Sequence, residues 1–405
     1  MEDHFRGLIM TSNDRKSPDA QPHSLAPPWI QLLLVRADAL RASDIHLAAG
    51  EVPYARIQGE LRPMDNESPI DSNVLDELCD GLLNRESQDR LADTGSVDGA
   101  FNHEATRYRF NIFRRRGQIG VAIRRLENEF RTLEDLGLPD HLYDLCELSD
   151  GLVLVAGPTG SGKSTTLATL IDSINRNRRG HIITIEDPIE YTHDSQTSLV
   201  SQRQIGLDAS SFNEALVASL RQDPDVLLVG EIRDLATIRT AITAAETGHL
   251  VFATVHASDC VGAIERLISV FPADEQPLIR RLLSMVLRAV ISQHLLVARN
   301  DSPVQKQKAI ARPQLVLGSE VLRVNSAVAN LIANSNVNQI VSVMETGANQ
   351  GMYTLDACLA RLWKSNMITE QTATALARHP NIVAELVQRT VRQKSGSLPV
   401  TISKP

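Results

Sequence analysis

A glycine-rich segment near the middle of the chain constrains the fold more than any other feature of the sequence. Residues 157–164 read GPTGSGKS and fit the pattern G-x-x-x-x-G-K-[S/T]. An apolar run precedes the segment and a helical pattern follows it, which is the strand–loop–helix setting that phosphate binding needs. Glycines let backbone N–H groups turn inward around phosphates, and the helix N-terminus adds a favourable dipole. The pattern therefore predicts a nucleotide site in which Lys163 reaches the β- and γ-phosphates and the Ser164 hydroxyl binds Mg²⁺.

The predicted contacts to the nucleotide come from nine consecutive residues. They are Gly157, Pro158, Thr159, Gly160, Ser161, Gly162, Lys163, Ser164 and Thr165. The other interpretation of such a segment is an accidental glycine turn. The strand and helix patterns on either side favour the phosphate loop.

Apolar runs alternate with helical patterns on both sides of this loop. The apolar runs cover residues 152–155, 182–185, 226–229 and 250–254, and the helical patterns cover 163–177, 211–221 and 235–247. Near-continuous apolar runs are typical of strands that are covered on both faces. The alternation predicts an α/β fold with a parallel sheet and right-handed crossovers. Beyond residue 299 we expect a loop, a strand at 314–317 and several helices.

The first part of the chain has a different pattern. The opening 28 residues are polar and contain several prolines, so we expect a disordered leader. A helical pattern begins at residue 29, and alternating segments at 54–57 and 108–113 predict strands of a small α+β domain. The predicted organisation is a leader at 1–28, this domain at 29–130, a linker at 131–140, an α/β domain at 141–310, a last strand with C-terminal helices at 311–393, and a tail at 394–405.

Composition and charge exclude several classes of protein. No apolar run approaches the ~20 residues that cross a bilayer, and the N-terminus lacks the apolar stretch of a signal peptide. Four widely spaced cysteines, without a C-x-x-C pair, argue against a disulfide framework and a zinc site. The formal net charge of −8 disfavours general binding to nucleic acid, and no stable nucleic-acid partner is expected. We therefore expect a cytoplasmic protein that reaches any membrane through partners.

Two acidic segments follow predicted strands and are candidates for the chemistry. The strand at 226–229 leads to Glu231, and we expect this strand to lie beside the phosphate-loop strand and to deliver its acid to the attacking water. Gly230 occupies the place of the usual aspartate, so Mg²⁺ needs Ser164 and another acid. Glu186 and Asp187 are the candidate metal ligands. Glu190 is the alternative to Glu231 as the general base, and solvated surface acids are the other interpretation.

Two histidines flank the predicted strand at 250–254. We expect His249 and His256 to lie near the carboxyl edge of the sheet, where open α/β sheets bind ligands. There they would act as sensors of the γ-phosphate. The alternative is that both histidines are structural.

Arginines are crowded at the end of the first domain. They are Arg107, Arg109, Arg114, Arg115, Arg116, Arg124 and Arg125. Three explanations stay open: a solvated basic face, a nucleic-acid surface with few stacking partners, or arginine fingers that reach a triphosphate.

Several motifs together resemble the PilT family of twitching-motility retraction ATPases, within the type II/IV secretion ATPase superfamily. They are SDIHL at 43–47, the phosphate loop, IEDPIEY at 185–191, the acid strand at 227–231, the histidine segment at 249–256, FPA at 271–273 and GMYTLD at 351–356. The resemblance covers about residues 30–377. It implies a PAS-like first domain, a RecA-like ATPase domain, ATP and Mg²⁺, a homohexamer and an inner-membrane pilus platform protein as partner. It also implies that Arg109 and Arg124 face the nucleotide, which would lie between the two domains.

One segment departs from the retraction branch of this family. The family sequence AIRNLIRE corresponds to AVANLIAN at 327–334, so both arginines and the glutamate are absent. The absence of a long additional N-terminal domain and of a tetracysteine motif favours retraction over extension and type II secretion. A retraction-accessory, secretion or conjugation ATPase is the alternative, a nucleic-acid translocase with the same core is another, and a nucleotide-gated scaffold that barely hydrolyses ATP is a third.

Overall fold

The chain divides into two compact units in a computed structural model. The structure describes residues 28–57, 60–65, 67–104, 106–126, 130–299 and 315–395, with side chains to residue 388. The units are Met1–Glu127 and Asn128–Pro405. The predicted leader, apart from Pro28, and nearly all of the predicted tail lie outside the described residues. The finer domain boundaries stay predictions.

The described residues of the first unit form a six-stranded antiparallel sheet and three helices. The helices are α1 (Pro28–Ala39), α2 (Ser72–Leu82) and α3 (Arg85–Thr94), and the strands are β1 (Ala42–Ala48), β2 (Tyr54–Ile57), β3 (Glu60–Pro63), β4 (Ser96–His103), β5 (Thr106–Arg115) and β6 (Gln118–Arg125). The sheet order is β3-β2-β1-β6-β5-β4. Alternate residues of β5, such as Tyr108, Phe110 and Ile112, are buried, as expected of a sheet with one covered face.

The second unit is built on a seven-stranded sheet. Its strands are β7 (Gly151–Ala156), β8 (His181–Glu186), β9 (Leu199–Gln204), β10 (Val226–Val229), β11 (Leu250–Val255), β12 (Leu287–Val297) and β13 (Leu315–Arg323). The order is β13-β12-β7-β11-β10-β8-β9. All neighbours are parallel except β12 and β13. The predicted α/β fold with a parallel sheet is confirmed.

Helices cover both faces of this sheet. They are α4 (Lys163–Asn177), α5 (Phe212–Ser219), α6 (Leu235–Glu246), α7 (Cys260–Ser269) and α8 (Gln276–Val286), and a 3-10 helix covers Asp140–Glu147. In β7, Leu152 and Leu154 pack in one core, whereas Val153 and Val155 pack in the other. Burial on both faces explains why this strand is a continuous apolar run.

Two strand predictions need correction. The predicted neighbour of the phosphate-loop strand β7 was β10, but β11 lies between them and β12 lies on the other side of β7. Sequence patterns identify strands without fixing their order, so they do not determine which strand lies beside β7. Strands β9 and β12 were not predicted. The final strand begins at Leu315 and continues to Arg323, and residue 314 lies outside the described residues.

The C-terminal helices pack on the β13 side of the sheet. They are α9 (Ser326–Ala333), α10 (Ile340–Thr346), α11 (Leu355–Lys364), α12 (Glu370–Leu376) and α13 (Pro380–Ser395), with short 3-10 helices at Val337–Gln339 and Ala348–Gln350. Glu320 of β13 is buried, and its carboxylate accepts hydrogen bonds from the first N–H groups of α7 (Cys260) and α11 (Leu355). Among the described helices, none combines the length and apolar character needed to span a bilayer.

Candidate functional site

The phosphate loop lies directly after the carboxyl end of β7. Gly157, Gly160 and Gly162 have φ angles of 149°, 77° and 89°, a region that L side chains rarely adopt. A Cβ at Gly157 would also collide with Ser161 Oγ and would lie 2.5 Å from the carbonyl oxygen of Gln293. Glycine is therefore required at this position by both the backbone conformation and the space.

The loop lysine occupies the interior of the loop. Lys163 is buried, and its Nζ donates hydrogen bonds of 2.9 Å to the carbonyl oxygens of Gly157 and Pro158. Burial lowers the pKa of Lys163, although the carboxylates of Glu231 and Glu190 act in the opposite direction. Added negative charge from phosphates would favour the charged ammonium further.

A cavity of 380 Å³ joins the loop to the predicted acids. Its lining includes most of the candidates that the sequence named: Thr159, Gly160, Lys163, Ser164, Glu186, Asp187, Glu190, Glu231 and His256. The remaining predicted loop residues belong to the same turn and to the start of α4. Strands β7, β8, β10 and β11 therefore deliver these side chains to a single site, because the carboxyl ends of parallel strands share one edge.

Glu231 and His256 face each other in this cavity. His256 Nε2 lies 3.6 Å from Glu231 Oε1, and both side chains are partly exposed. The Thr254 hydroxyl donates to the carbonyl oxygen of Gly230, and Ile232 N–H donates to the carbonyl of Thr254. These bonds fix the end of β10 against the end of β11. Glu231 and His256 are thus positioned as a pair at the carboxyl edge.

The acidic segment after β8 contains two kinds of carboxyl group. Glu186 accepts hydrogen bonds from the Thr184 hydroxyl (2.7 Å) and the Gln202 amide (3.2 Å), and burial raises its pKa. Asp187 and Glu190 are exposed. A carboxyl group held by protein donors has fewer lone pairs for a cation, so Asp187 is better placed than Glu186 to ligate a metal.

His249 is not part of the cavity lining, and the prediction for it was wrong. It precedes β11, so it lies at the amino edge of the sheet, where its carbonyl accepts from Gly151 N–H. Its Nδ1 is 3.0 Å from the carbonyl oxygen of Ala244. The strand separates His249 from His256 by about 23 Å at ~3.3 Å per residue. Two residues that flank one strand lie at opposite edges.

An aromatic group that was not among the predicted site residues also belongs to the cavity. Tyr191 and His193 line the cavity. The His193 ring stacks on Phe130 with centroids 4.6 Å apart, and the Tyr191 hydroxyl lies 2.9 Å from Thr165 Oγ1. Burial lowers the pKa of His193 to about 4. The motif IEDPIEY was a signal for Tyr191, whereas nothing in the sequence pattern singled out Phe130.

Arg109 and Arg124 lie on the face of the first unit's sheet opposite to the buried side chains of β5. Arg109 and Arg124 are directly opposite each other on β5 and β6, and Asp44 of β1 is opposite Arg124. Arg124 Nε donates a 2.8 Å bond to Asp44. Burial disfavours the charged form of Asp44, but the Arg124 guanidinium holds its pKa below the ordinary value.

Two other arginines of the crowded group, Arg114 and Arg115, are the last residues of β5. Arg114 and Arg115 pair with Ile119 and Gln118. The turn consists of Arg116 and Gly117, both with positive φ, as a two-residue hairpin requires. Arg114 and Arg115 are both exposed.

Comparisons with known proteins identify the family of this chain. The family described as type II/IV secretion system protein matches residues 20–378. The type IV pilus retraction ATPase PilT of Pseudomonas aeruginosa is 39% identical over 340 residues, covering 84% of this chain and 95% of the relative. The twitching motility protein of Neisseria gonorrhoeae is 38% identical over 347 residues, covering 84% and 90%.

Solved structures share the fold. A crystal structure of the pilus retraction motor PilT with bound ADP has a TM-score of 0.80 and 39% identity, covering 88% of this chain and 99% of that chain. The ATPase DotB of Legionella pneumophila has a TM-score of 0.74 at 24% identity, covering 91% and 98%, and shows the fold alone. The phosphate loop, the sheet and these relatives all agree with the family match, and the chain belongs to the type II/IV secretion system protein family.

Proposed function

We propose that this protein is a motor ATPase that hydrolyses ATP to ADP and phosphate and drives type IV pilus retraction. The observation that carries the proposal is the single cavity that joins the phosphate loop to Glu231, Glu190 and His256. A loop for phosphates beside acids that can orient water is the arrangement that hydrolysis of a nucleoside triphosphate needs. The identity to a retraction ATPase over most of both chains supports the biological role.

The chain's own residues suggest how the reaction proceeds. Lys163 exchanges the loop carbonyls that it now contacts for phosphate oxygens, and it neutralises charge on the transferred group. Glu231 orients a water molecule and accepts its proton, with Glu190 as the alternative base. The water oxygen bonds to the γ-phosphorus while the bond to the β–γ bridging oxygen breaks, which releases ADP and phosphate. His256, whose Nε2 lies 3.6 Å from Glu231 Oε1, is the residue that would sense the γ-phosphate.

Mg²⁺ fits the donors at this site. No cluster of three or more His, Cys, Asp or Glu side chains in the described part of the chain is arranged to hold a metal ion. Mg²⁺ in nucleotide enzymes needs no such cage, because phosphates, water and one or two side chains supply its ligands. Ser164 and Asp187 are the residues that would hold it, and the ion would neutralise charge on the phosphates.

The proposed assembly is a homohexamer that acts on an inner-membrane platform protein of the pilus. The second unit's cavity is lined by one arginine, Arg233, and the family resemblance points to Arg109 and Arg124 of the first unit as further cations for the nucleotide. In a ring, subunits can supply such arginines to one another. Light scattering at high concentration with ADP should give six subunits; a monomer with full specific activity would contradict this assembly.

A related pilus ATPase that assists retraction is the second candidate function. The observation that favours it is α9, where Ala329, Ala333 and Asn334 replace the two arginines and the glutamate of the retraction motif. Ala329 and Ala333 are half-buried one turn apart, and Asn334 is exposed. The type IV pilus ATPase PilU of Pseudomonas aeruginosa, at 36% identity, is comparably similar to this chain.

Two experiments separate the activity from the role. Lys163→Ala should abolish productive ATP binding, and Glu231→Gln should retain binding but lower turnover at least ~10²-fold. Wild-type turnover in Glu231→Gln would transfer the base to Glu190. Deletion of the gene, followed by scoring of pilus retraction, tests the role: full retraction without the gene would favour the assisting function.

A further inference from the structure

One strand beside the phosphate loop contacts both the start of α4, which follows the loop, and the segment that follows His256. Strand β12 lies parallel to β7, and Ser292 pairs with Ala156, the residue before the loop. The next residue, Gln293, is therefore level with Gly157. Successive side chains of a strand point to opposite faces, so Ser292 and His294 point to one face and Gln293 to the other.

Gln293 contacts the first residue of the phosphate loop through its main chain and the first turn of α4 through its side chain. It is fully buried, and its amide Nε2 donates a 2.7 Å hydrogen bond to Thr166 Oγ1 in the first turn of α4. The main-chain carbonyl oxygen of Gln293 lies 2.5 Å from the position that a Cβ at Gly157 would take. Among the described residues, Gln293 Oε1 and Ser161 Oγ are both buried without a hydrogen-bond partner. Gln293 therefore places a buried polar side chain beside the loop, and an apolar side chain there would lose the hydrogen bond to Thr166.

Ser292 and His294 contact the segment that follows His256. His294 Nε2 lies 2.8 Å from the carbonyl oxygen of Ser258, and the Ser292 hydroxyl donates to the same oxygen at 3.2 Å. Ser258 is two residues beyond His256. Two donors on one carbonyl fix the path of the chain between β11 and α7.

We propose that Ser292, Gln293 and His294 are positioning residues for the nucleotide reaction. Gln293 holds the phosphate loop, and Ser292 with His294 holds the segment that carries His256. Because all three belong to one strand, the loop and His256 keep a fixed distance while nucleotides enter and leave. The inference rests on the proposed ATPase function and adds residues to it that touch neither water nor phosphate.

The first test separates loop positioning from general stability. Gln293→Met keeps the length of the side chain but removes the amide that donates to Thr166. Without this hydrogen bond the loop is less ordered in the free protein, and nucleotide binding must then supply the free energy of ordering it. We expect the Kd for a fluorescent ADP analogue to rise about 3- to 10-fold, the size of one hydrogen bond. Thr166→Val should have the same effect, and the double variant should be no worse than either single one.

The second test concerns His256. His294→Leu should lower kcat about tenfold or more, as expected for a misplaced catalytic group, with an unchanged Kd for ADP. His294→Gln keeps a donor for the Ser258 carbonyl and should restore most of the kcat. A purely structural histidine would not show this split between kcat and Kd, nor this rescue.

A matched control lies directly opposite on the next strand. Ser319 pairs with Gln293, is fully buried, and its hydroxyl lies 2.8 Å from the Tyr353 hydroxyl. Ser319→Ala should lower the Tm but leave the Kd for ADP and kcat unchanged. Suppose that the wild type binds ADP normally, that Gln293→Met leaves the Kd unchanged and that His294→Leu leaves kcat unchanged. This result would overturn the positioning role and leave the proposed ATPase function intact. A wild type that fails to bind ADP would overturn the proposed function as well.

Discussion

Acidification should destabilise the second unit through one histidine of the cavity. His193 is 7% exposed and stacks on Phe130, and burial lowers its pKa from 6.5 to about 4. Because the pKa of His193 is lower in the folded protein, the unfolded state takes up the proton at a higher pH than the folded state does. The contribution of the neutral, buried imidazole to the free energy of unfolding is therefore present above pH 6.5 and is lost as the pH falls towards 4. Between pH 7 and pH 5 these pKa values give a loss of about 2 kcal/mol in the free energy of unfolding.

Urea unfolding of the nucleotide-free protein at pH 7 and pH 5 measures this loss. The variant His193→Gln cannot take up the proton, so its free energy of unfolding should fall by about 2 kcal/mol less than that of the wild type over the same interval. Phe130→Leu is the control, because it removes the stacked ring but keeps the histidine; it should lower stability by a similar amount at both pH values. Equal losses in the wild type and His193→Gln would refute the burial of a neutral imidazole.

Three further predictions address catalysis and packing. Arg124→Ala, and also Arg109→Ala, should lower turnover, by less than the ~10³–10⁵ of a single arginine finger because the charge is shared; Arg114→Ala and Arg115→Ala should leave turnover nearly unchanged, and equal slight losses at all four positions would mean a solvated face. Chelation of divalent ions by EDTA should abolish hydrolysis, with recovery on addition of Mg²⁺; undiminished turnover in EDTA would exclude a Mg²⁺ requirement. Glu320→Ala should lower the free energy of unfolding by about 3 kcal/mol, since it removes two hydrogen bonds to a buried carboxylate, and an unchanged urea midpoint would contradict this.

Local sequence patterns predicted the strands that form a distinct apolar or alternating run between turn residues, and they missed β9 and β12, which do not. Strand β9 is an edge strand in which only Gln204 is buried, so it lacks an apolar run. Strand β12 follows α8 without a single intervening residue, because the helix ends at Val286 and the strand begins at Leu287. No glycine or proline marks that change, and the helical and strand periodicities merge.

The site shows the same limit. The loop and the acids were predictable because each follows a recognisable strand, and the carboxyl ends of parallel strands meet. Glu231 and His256 therefore lie together as expected. His249 was misplaced because a residue before a parallel strand lies at the other edge, and Gln293 was missed because its role depends on the neighbour of β7. Sheet order is a property of the whole fold, and no single segment encodes it.

The buried carboxylate of Glu320 has a consequence for any shortened form of the protein. It accepts from the first N–H groups of α7 and α11, so the positive ends of two helices share one anion. Arg378, just before α13, also pairs at 2.8 Å with Asp259, the N-cap of α7. A chain cut before Thr354 would leave Glu320 with one of these partners and Asp259 without its arginine. The helices after Thr354 thus stabilise the segment that follows His256. Their removal would weaken the packing of the carboxyl edge of the sheet, where His256 and Glu231 lie.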